Sequence, residues 1–307
     1  MGRYTLRRLL QLIPVFFGAT FIIYALMNAL GNPLNTLSPQ QRRNPAYLEY
    51  LTEQFNLDDP FIVQYFKYIG GVLTGDLGTT FSGESVTQIV IERFPVTATL
   101  ALTAVVIEIV LGIAIGVAAA LRRGKLLDNA SLVIALIFIA VPVFVLAFTL
   151  QWLFGIKLGW VAPTGISQGW PVSYLLPAFV LAAGSLAYVL RLTRQSLLET
   201  FNADFIRTAR AKGLPTRTIL RRYGLRNSLI PVVTFLGLEV GALMGGAVIT
   251  EGIFNIPGIG QQLFTSVKQQ EAVVVVGITT LLIIIYLIAN LLVDILYAVL
   301  DPRIRYE

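Results

Sequence analysis

The 307-residue chain contains neither cysteine nor histidine. Without cysteine, a disulfide framework and thiolate metal sites are excluded. Without histidine, His-ligated zinc and Ser-His or Cys-His nucleophilic pairs are excluded as well. Charged residues are scarce, at 13% of the chain against about 25% in an average soluble domain. These absences remove most enzyme classes and leave no recognisable metal cage.

Apolar residues are abundant instead, at 56% of the chain, and the mean hydropathy is +0.75. A soluble core cannot bury this excess, and a disordered chain would combine low hydrophobicity with high net charge. A helix needs about 20 apolar residues to cross the ~30 Å hydrocarbon core of a bilayer. We therefore predict an all-α, polytopic membrane protein in which residues 1–307 form one domain. Its six transmembrane helices are predicted at residues 9–30, 97–121, 130–154, 174–190, 229–250 and 273–299.

The basic residues are distributed unevenly between the two sides of the predicted membrane. Six spans place both termini on one side, and 17 of the 23 Lys and Arg residues lie in segments on that side. The positive-inside rule then makes both termini cytoplasmic, so the net charge of +6 reflects topology and not nucleic-acid binding. A cleaved signal peptide is the alternative for the N terminus. It is disfavoured because the first run exceeds a typical h-region of about 7–15 residues and no small-x-small site follows.

The longest predicted external segment, residues 31–95, contains LDDPFIVQYFKYIGGVLTGDLGTTF (Leu57–Phe81). Its Tyr, Phe and Ile residues can line one face of a short helix, and glycines interrupt the next stretch of chain: Gly75, Gly78 and Gly83. We expect an ordered external cap, with a solvated loop as the alternative.

Three acidic side chains fall within the predicted spans: Glu108, Glu239 and Asp294. Charge inside a membrane is costly, and such groups usually face a bundle interior or an aqueous cavity. The three acids are therefore candidates for lining a translocation pathway. A structural hydrogen bond to a neighbouring helix or subunit is the alternative for each.

Glycines at four-residue spacing predict close helix packing within two of the spans. In the fifth span they are Gly237, Gly241 and Gly245, and Glu239 lies on roughly the opposite face at about 100° per residue. Gly112 and Gly116 repeat the spacing in the second span.

The predicted cytoplasmic loop, residues 191–228, carries local signals for a short basic helix over Ala203–Lys212. Asn202 is a candidate N-cap, and Asp204 complements the dipole of the first turn. Gly213 suits the left-handed position after the helix, and Pro215 stops it. A second short helix is expected after Thr216. A capped helix between two spans suits docking to another protein, whereas attraction to anionic lipid head groups is the alternative reason for the positive charge.

Two strings in this region, ADFIRTARAKGL (Ala203–Leu214) and RNSLIPVVT (Arg226–Thr234), closely resemble the EAA-type coupling loop of ABC importer permeases. The peptide/nickel subfamily is the most similar, and the order of the motifs resembles its B-type permease. Further similar strings span nearly the whole chain: NLDDP (Asn56–Pro60), GDLGTTF (Gly75–Phe81), VPVFVLA (Val141–Ala147), GGAVITEGIFNIPGIG (Gly245–Gly260) and LYAVLDPRIRY (Leu296–Tyr306). The departures are Arg207 in place of the usual glutamate, Thr208 after it, Tyr223 in place of a histidine, and GNP (Gly31–Pro33) in place of PGDP.

The resemblance implies a type I ABC importer permease in a prokaryotic cytoplasmic (inner) membrane. It implies a second, homologous permease as heterodimer partner, two cytoplasmic nucleotide-binding ATPase subunits and an external solute-binding protein. It also implies which residues couple to the ATPase: Ala203, Asp204, Phe205, Arg207, Thr208, Ala209, Arg210, Ala211, Lys212, Gly213 and Leu214. Peptide is the expected substrate, with nickel chelates, glutathione and oligosaccharides as alternatives.

A G-x-x-x-x-G-K-[ST] phosphate-binding loop is missing from the sequence, so this chain is not expected to hydrolyse ATP. We expect no cofactor in this chain, and the implied ATPase partners would bind ATP and Mg²⁺. The alternative function is a secondary transporter or channel that works without ATPase subunits. A membrane enzyme would require a Ser-Lys or paired-carboxylate site, for which the spans offer no evident residues.

Overall fold

The computed structural model describes residues 2–29 and 44–300, without the side chains of residues 2–4, 240, 246 and 296–300. Within these ranges the chain is helical and has no strand, only an isolated antiparallel bridge between Thr79 and Ser85. The predicted all-α class is confirmed. Two strings of the family resemblance fall wholly or partly outside the described residues, namely Gly31–Pro33 and the end of Leu296–Tyr306.

The helices divide between two compact units. One unit comprises the described residues up to Thr97 and from Asn255 onward, and the other comprises Ala98–Phe254. In chain order the helices are α1 (Gly2–Ala29), α2 (Pro45–Gln54), α3 (Phe61–Leu73), α4 (Val86–Ile107), α5 (Ile113–Leu121), α6 (Leu126–Ala140), α7 (Val143–Leu150), α8 (Val172–Phe201), α9 (Asp204–Ala211), α10 (Thr216–Ile219), α11 (Leu225–Ser228), α12 (Ile230–Phe254), α13 (Ile259–Gln269) and α14 (Ala272–Leu300). Three segments have wider π-helical turns: Glu108–Gly112, Gln151–Lys157 and Leu220–Gly224.

Four helical stretches among the described residues are long and apolar enough to cross a membrane: Thr5–Ala29, Val86–Leu121, Val172–Phe201 and Ala272–Ile295. Two bent pairs raise the number to as many as six if each pair counts as one span. They are Leu126–Ala140 with Val143–Lys157, bent by 106°, and Thr216–Ser228 with Ile230–Gly245, bent by 45°.

The predicted third span, residues 130–154, differs from a single helix because it breaks at Val141 and Pro142. Val141 is extended, with φ −81° and ψ 122°. A residue before proline is disfavoured in the helical region, and proline itself lacks the N–H that would continue the ladder. Pro142 thus ends α6 and begins α7 in a new direction.

In the first unit, α3 is the short helix predicted within Leu57–Phe81. Two of its tyrosine hydroxyls form hydrogen bonds with the long helices α1 and α14. The hydroxyls of Tyr65 and Thr20 on α1 lie 2.9 Å apart. The Tyr68 hydroxyl donates to Thr280 Oγ1 on α14 at 2.7 Å. The residues around this helix therefore form an ordered, packed structure.

In the second unit, α8 is the central helix, and the π-helical turn Glu108–Gly112 and α5 approach it closely through glycines. A Cβ added at Gly112 would stand 2.6 Å from Val189 Cγ1, and one at Gly116 would stand 2.7 Å from the Leu190 carbonyl oxygen. Real Cβ contacts essentially never come this close, so only glycine permits this packing. The close approach predicted for the glycine pair of the second span is confirmed.

Candidate functional site

The predicted cytoplasmic loop, residues 191–228, begins within an extension of α8. The predicted span ended at residue 190, but α8 continues without interruption to Phe201. Asn202 is therefore the C-cap of α8, with its N–H directed to the carbonyls of Glu199 and Thr200. The prediction of Asn202 as an N-cap is wrong because the long helix carries its backbone ladder past the end of the apolar run.

Helix α9 follows directly, with Ala203 in extended conformation (φ −70°, ψ 151°) as its N-cap. Ala203 supplies no side-chain cap, but Asp204 lies in the first turn, where its charge complements the helix dipole. Arg207 Nη1 lies 3.1 Å from Asp204 Oδ1, although both side chains are largely exposed. An exposed pair of this kind contributes little stability.

The C-terminal end of α9 is closed by the predicted glycine. Gly213 has φ +74°, in the left-handed region. Its N–H donates to the Arg210 carbonyl at 2.9 Å, and the Leu214 N–H donates to the Ala209 carbonyl at 3.3 Å. This pair of bonds is the Schellman motif, which satisfies two carbonyls of the last turn.

The apolar side of α9 is anchored in a small cluster, named here the coupling anchor. Its buried members are Ile206, Ala209 and Ile219, and partly buried Phe201, Leu214 and Tyr223 pack against them. Ile206 is fully buried. It stands outside the predicted coupling residues, and its three-residue spacing from Ala209 was the signal that could have revealed it.

The opposite side of α9 is exposed. Phe205 lies on this side and its residue is 45% exposed. The other exposed members of the predicted coupling set are Asp204, Arg207, Thr208, Arg210, Ala211, Lys212 and Gly213. Ala209, also a predicted coupling residue, is buried and belongs to the coupling anchor. Helix α9 thus exposes one aromatic ring and several cationic side chains on one side, while its other side packs in the coupling anchor.

The stretch after α9, Thr216–Ser228, is named the return segment. It packs against the end of α8. A Cβ at Gly224 would stand 3.2 Å from both Leu197 Cδ1 and Phe201 Cε1, and Leu197 is fully buried. The second short helix expected after Thr216 is present as α10, a π-helical turn and α11. The end of α8, α9 and the return segment are therefore packed together.

Two of the three acids of the predicted spans lie near Ser185 of α8 in the second unit. Ser185 donates to Glu108 Oε1, and Glu239 on α12 lies nearby. Glu108 is fully buried and its Oε2 has no hydrogen-bond partner among the described residues, whereas Glu239 is half-buried. Among the described residues, no group of three acidic side chains converges that could hold a metal ion.

The third acid, Asp294, belongs to the other unit and has a basic partner there. Arg8 Nε on α1 lies 3.4 Å from Asp294 Oδ2 on α14. This pair brings the beginning of α1 beside the end of α14.

The glycine stripe of the fifth span has a mixed environment. Gly241 is buried, but a Cβ at Gly245 would meet nothing within 4 Å. On the same helix, buried Val232 and Leu236 form a cluster with Val189 of α8, and partly buried Phe235 packs against this cluster. A packing role for the stripe, Gly237 included, stays a prediction.

One strong contact of the second unit escaped sequence reasoning. Asp128, in the first turn of α6, accepts two hydrogen bonds from Arg194 of α8, at 2.5 Å from Nε and 2.8 Å from Nη2. The partners are 66 residues apart. Arg194 resembled any other cation of the basic loop, and no local signal distinguishes it.

Residues 112–306 match the family of binding-protein-dependent transport system inner membrane components. Residues 1–101 match the N-terminal family of the same membrane components. The chain belongs to this permease family. The resemblance to ABC importer permeases of the peptide/nickel subfamily is thereby confirmed, and the permease is a multi-pass membrane protein.

Full-length relatives of the permease include proteins named for two kinds of substrate. It is 35% identical over 318 residues to the oligopeptide transport system permease protein AppB of Bacillus subtilis (strain 168), with 100% of both chains covered. It is also 35% identical over 309 residues to the glutathione transport system permease protein GsiC of Escherichia coli (strain K12), again with 100% of both covered.

Solved structures support the fold of the permease. An inward-facing structure of the MetNI methionine ABC transporter has a TM-score of 0.51 at 19% identity, covering 67% of this chain and 95% of that one. An amino acid ABC transporter with histidines has a TM-score of 0.53 at 18% identity, covering 68% and 93%. At this identity the likeness extends to the fold alone.

Proposed function

We propose that this permease is a non-catalytic subunit of an ATP-driven importer and forms half of a translocation pathway for peptides. The observation that carries the proposal is α9, a short helix closed at Gly213, anchored through Ile206 and exposed along a face with Phe205 and several cations. Attraction to anionic lipid requires only the charge. It requires neither the anchor nor the closed end, which suit a helix that transmits force to a protein partner.

The proposed mechanism is alternating access driven from outside this chain. ATP and Mg²⁺ bind to two cytoplasmic ATPase subunits, and closure of their dimer moves α9. Because α9 is packed on the end of α8, the displacement passes into the spans of this subunit and a homologous partner permease. The two conformations must differ in free energy when ATP is bound, and contacts at α9 supply that difference.

The proposed topology has six spans with both termini cytoplasmic, each bent helix pair counting as one span. The contact between Arg8 and Asp294 supports it, because the start of the first long helix then lies beside the end of the last. The bias of Lys and Arg residues supplies the choice of side.

For the pathway we favour Glu239 over the other two acids. Its carboxyl is half-buried, whereas Glu108 is fully buried against Ser185 and Asp294 is paired with Arg8. A peptide carries an α-ammonium group at neutral pH, and a half-buried carboxylate can attract it on the way through. The relatives' names support the peptide class, because glutathione is itself a tripeptide.

The test is reconstitution of this permease in proteoliposomes with its partner permease, the ATPase subunits and the solute-binding protein. Uptake of radiolabelled trialanine and glutathione is measured with ATP, with a non-hydrolysable analogue, and with an imposed ion gradient instead. We expect ATP-dependent uptake of at least one of the two. Uptake by this chain alone, driven by the ion gradient, would instead establish the secondary-transporter alternative.

A further inference from the structure

The contact between Asp128 and Arg194 is a hydrogen-bonded, bidentate ion pair. The Asp128 side chain is 1% exposed and that of Arg194 is 21% exposed. The guanidinium donates to both carboxylate oxygens, from Nε and Nη2, and the Gly124 N–H donates to Oδ2 at 2.8 Å. A two-pronged pair of this kind fixes direction as well as distance.

The local role of Asp128 accounts for only one of these bonds. The turn between α5 and α6 passes through Gly124, at φ +75°, and Lys125 provides no side-chain cap for α6. Asp128, in the first turn, reaches back to the Gly124 N–H and closes that turn. An asparagine at this position could accept the same bond, so the turn does not require the carboxylate to meet Arg194.

Arg194 lies on the part of α8 that leads to the coupling helix. Phe201 is seven positions further along, a distance of about 10 Å in an unbroken helix. Phe201 packs in the coupling anchor, and Leu197, between the two, is fully buried near Gly224. A displacement of α9 is therefore passed to Arg194, because the stretch of α8 between them is an unbroken, packed helix.

We propose that Asp128 and Arg194 are positioning residues that transmit the displacement of the coupling helix to α6, the first half of the broken third span. This inference rests on the proposed function. A hydrophobic contact lets helices slide past each other, whereas a bidentate pair with a buried carboxylate resists sliding because misalignment leaves that carboxylate unpaired. The pair thus makes the α5–α6 turn follow α8 when the ATPase subunits close.

The experiment compares Arg194→Lys with Arg191→Lys in the reconstituted importer. Lysine keeps the charge beside Asp128, so the fold is not left with an unpaired buried carboxylate, but it cannot form the two-pronged contact. Arg191 lies on the same helix, is exposed and forms no ion pair within the described part of the chain, so it provides the matched control. The readouts are co-purification of the ATPase subunits, ATP hydrolysis, and trialanine and glutathione imported per ATP hydrolysed.

We expect Arg194→Lys to co-purify with its partners and hydrolyse ATP while import per ATP falls by about tenfold, within the usual range of coupling energies. Arg191→Lys is expected to match the wild type. Equal import per ATP in the two variants would overturn the proposal, and failure of Arg194→Lys to assemble would overturn it too, because the pair would then serve folding. If the wild type shows no ATP-dependent import, the proposed function fails first, which separates the two failures.

Discussion

Replacing Ile206 by alanine tests whether the coupling anchor holds α9 in place. Ile206 is fully buried and packs with Ala209 and Ile219. Helix α9 has only eight residues, too few to be stable by itself in water. Its position therefore depends on this cluster, and truncating the largest side chain on its buried face weakens the attachment.

The expected loss of stability follows from the number of buried carbon atoms that the substitution removes. Ile206→Ala removes three buried carbon atoms, and at ~0.8 kcal/mol each the lost transfer free energy is ~2.4 kcal/mol. A residual cavity would increase the cost, within the range of about 2–5 kcal/mol for such truncations. A loss of ~2.4 kcal/mol corresponds to an increase of about 50-fold in the population of the detached helix.

Hydrogen–deuterium exchange of the purified, assembled importer measures this population. The backbone amides of residues 206–214 close the helix and its C-terminal motif, and their exchange is expected to accelerate by about 50-fold when opening is fast. Uptake of trialanine by the same preparation is expected to fall, because a detached helix transmits little force.

Phe205→Ala is the matched control on the same helix. Phe205 is 45% exposed, so its truncation leaves no buried cavity and the exchange of residues 206–214 should stay at the wild-type rate. Uptake in Phe205→Ala is nevertheless expected to fall if the ring contacts the ATPase. Wild-type exchange in Ile206→Ala would refute the anchoring role, and so would equal exchange in the two variants.

Three further predictions concern backbone conformation, packing and charge. Gly213→Pro imposes a negative φ where the structure has +74° and removes the N–H bonded to Arg210, so uptake should be lost at unchanged membrane insertion, measured by quantitative immunoblotting; normal uptake would contradict this. Gly116→Ala places a Cβ 2.7 Å from the Leu190 carbonyl oxygen, which should cost about 1–3 kcal/mol of stability and lower the melting temperature in detergent. Gly184→Ala is the control, because a Cβ there meets nothing within 4 Å and should leave the melting temperature unchanged. Equal melting temperatures of the two variants would count against close packing at Gly116. Glu239→Gln should reduce trialanine uptake without altering thermal stability, since Ser185 keeps its bond to Glu108; unimpaired uptake would remove Glu239 from the pathway.

Several features could be predicted from local signals, because their chemistry is contained in a few neighbouring residues. Gly213 and Pro215 predicted the end of α9, and the aromatic pattern of Leu57–Phe81 predicted α3. The glycine pair in the second span predicted a close helix approach. Each of these depends on backbone conformation or on one helical face, which a short string determines.

Helix boundaries were less predictable where tertiary packing extends a helix beyond its apolar run. The apolar run of α8 ends near residue 190, yet the helix continues to Phe201 because Leu197 and Phe201 are covered by the return segment at Gly224. Asn202 has the composition of an N-cap, but it closes the preceding helix instead.

By itself, the sequence determined the membrane environment, the helical class and the end of α9 at Gly213, because composition, apolar run length and a local motif suffice for each. Only the tertiary structure decided which polar groups meet. Ser185 binds Glu108 across 77 residues, and Arg194 binds Asp128 across 66. Nothing in either string marks its partner, because such contacts depend on how whole helices pack, and packing is a property of the folded chain.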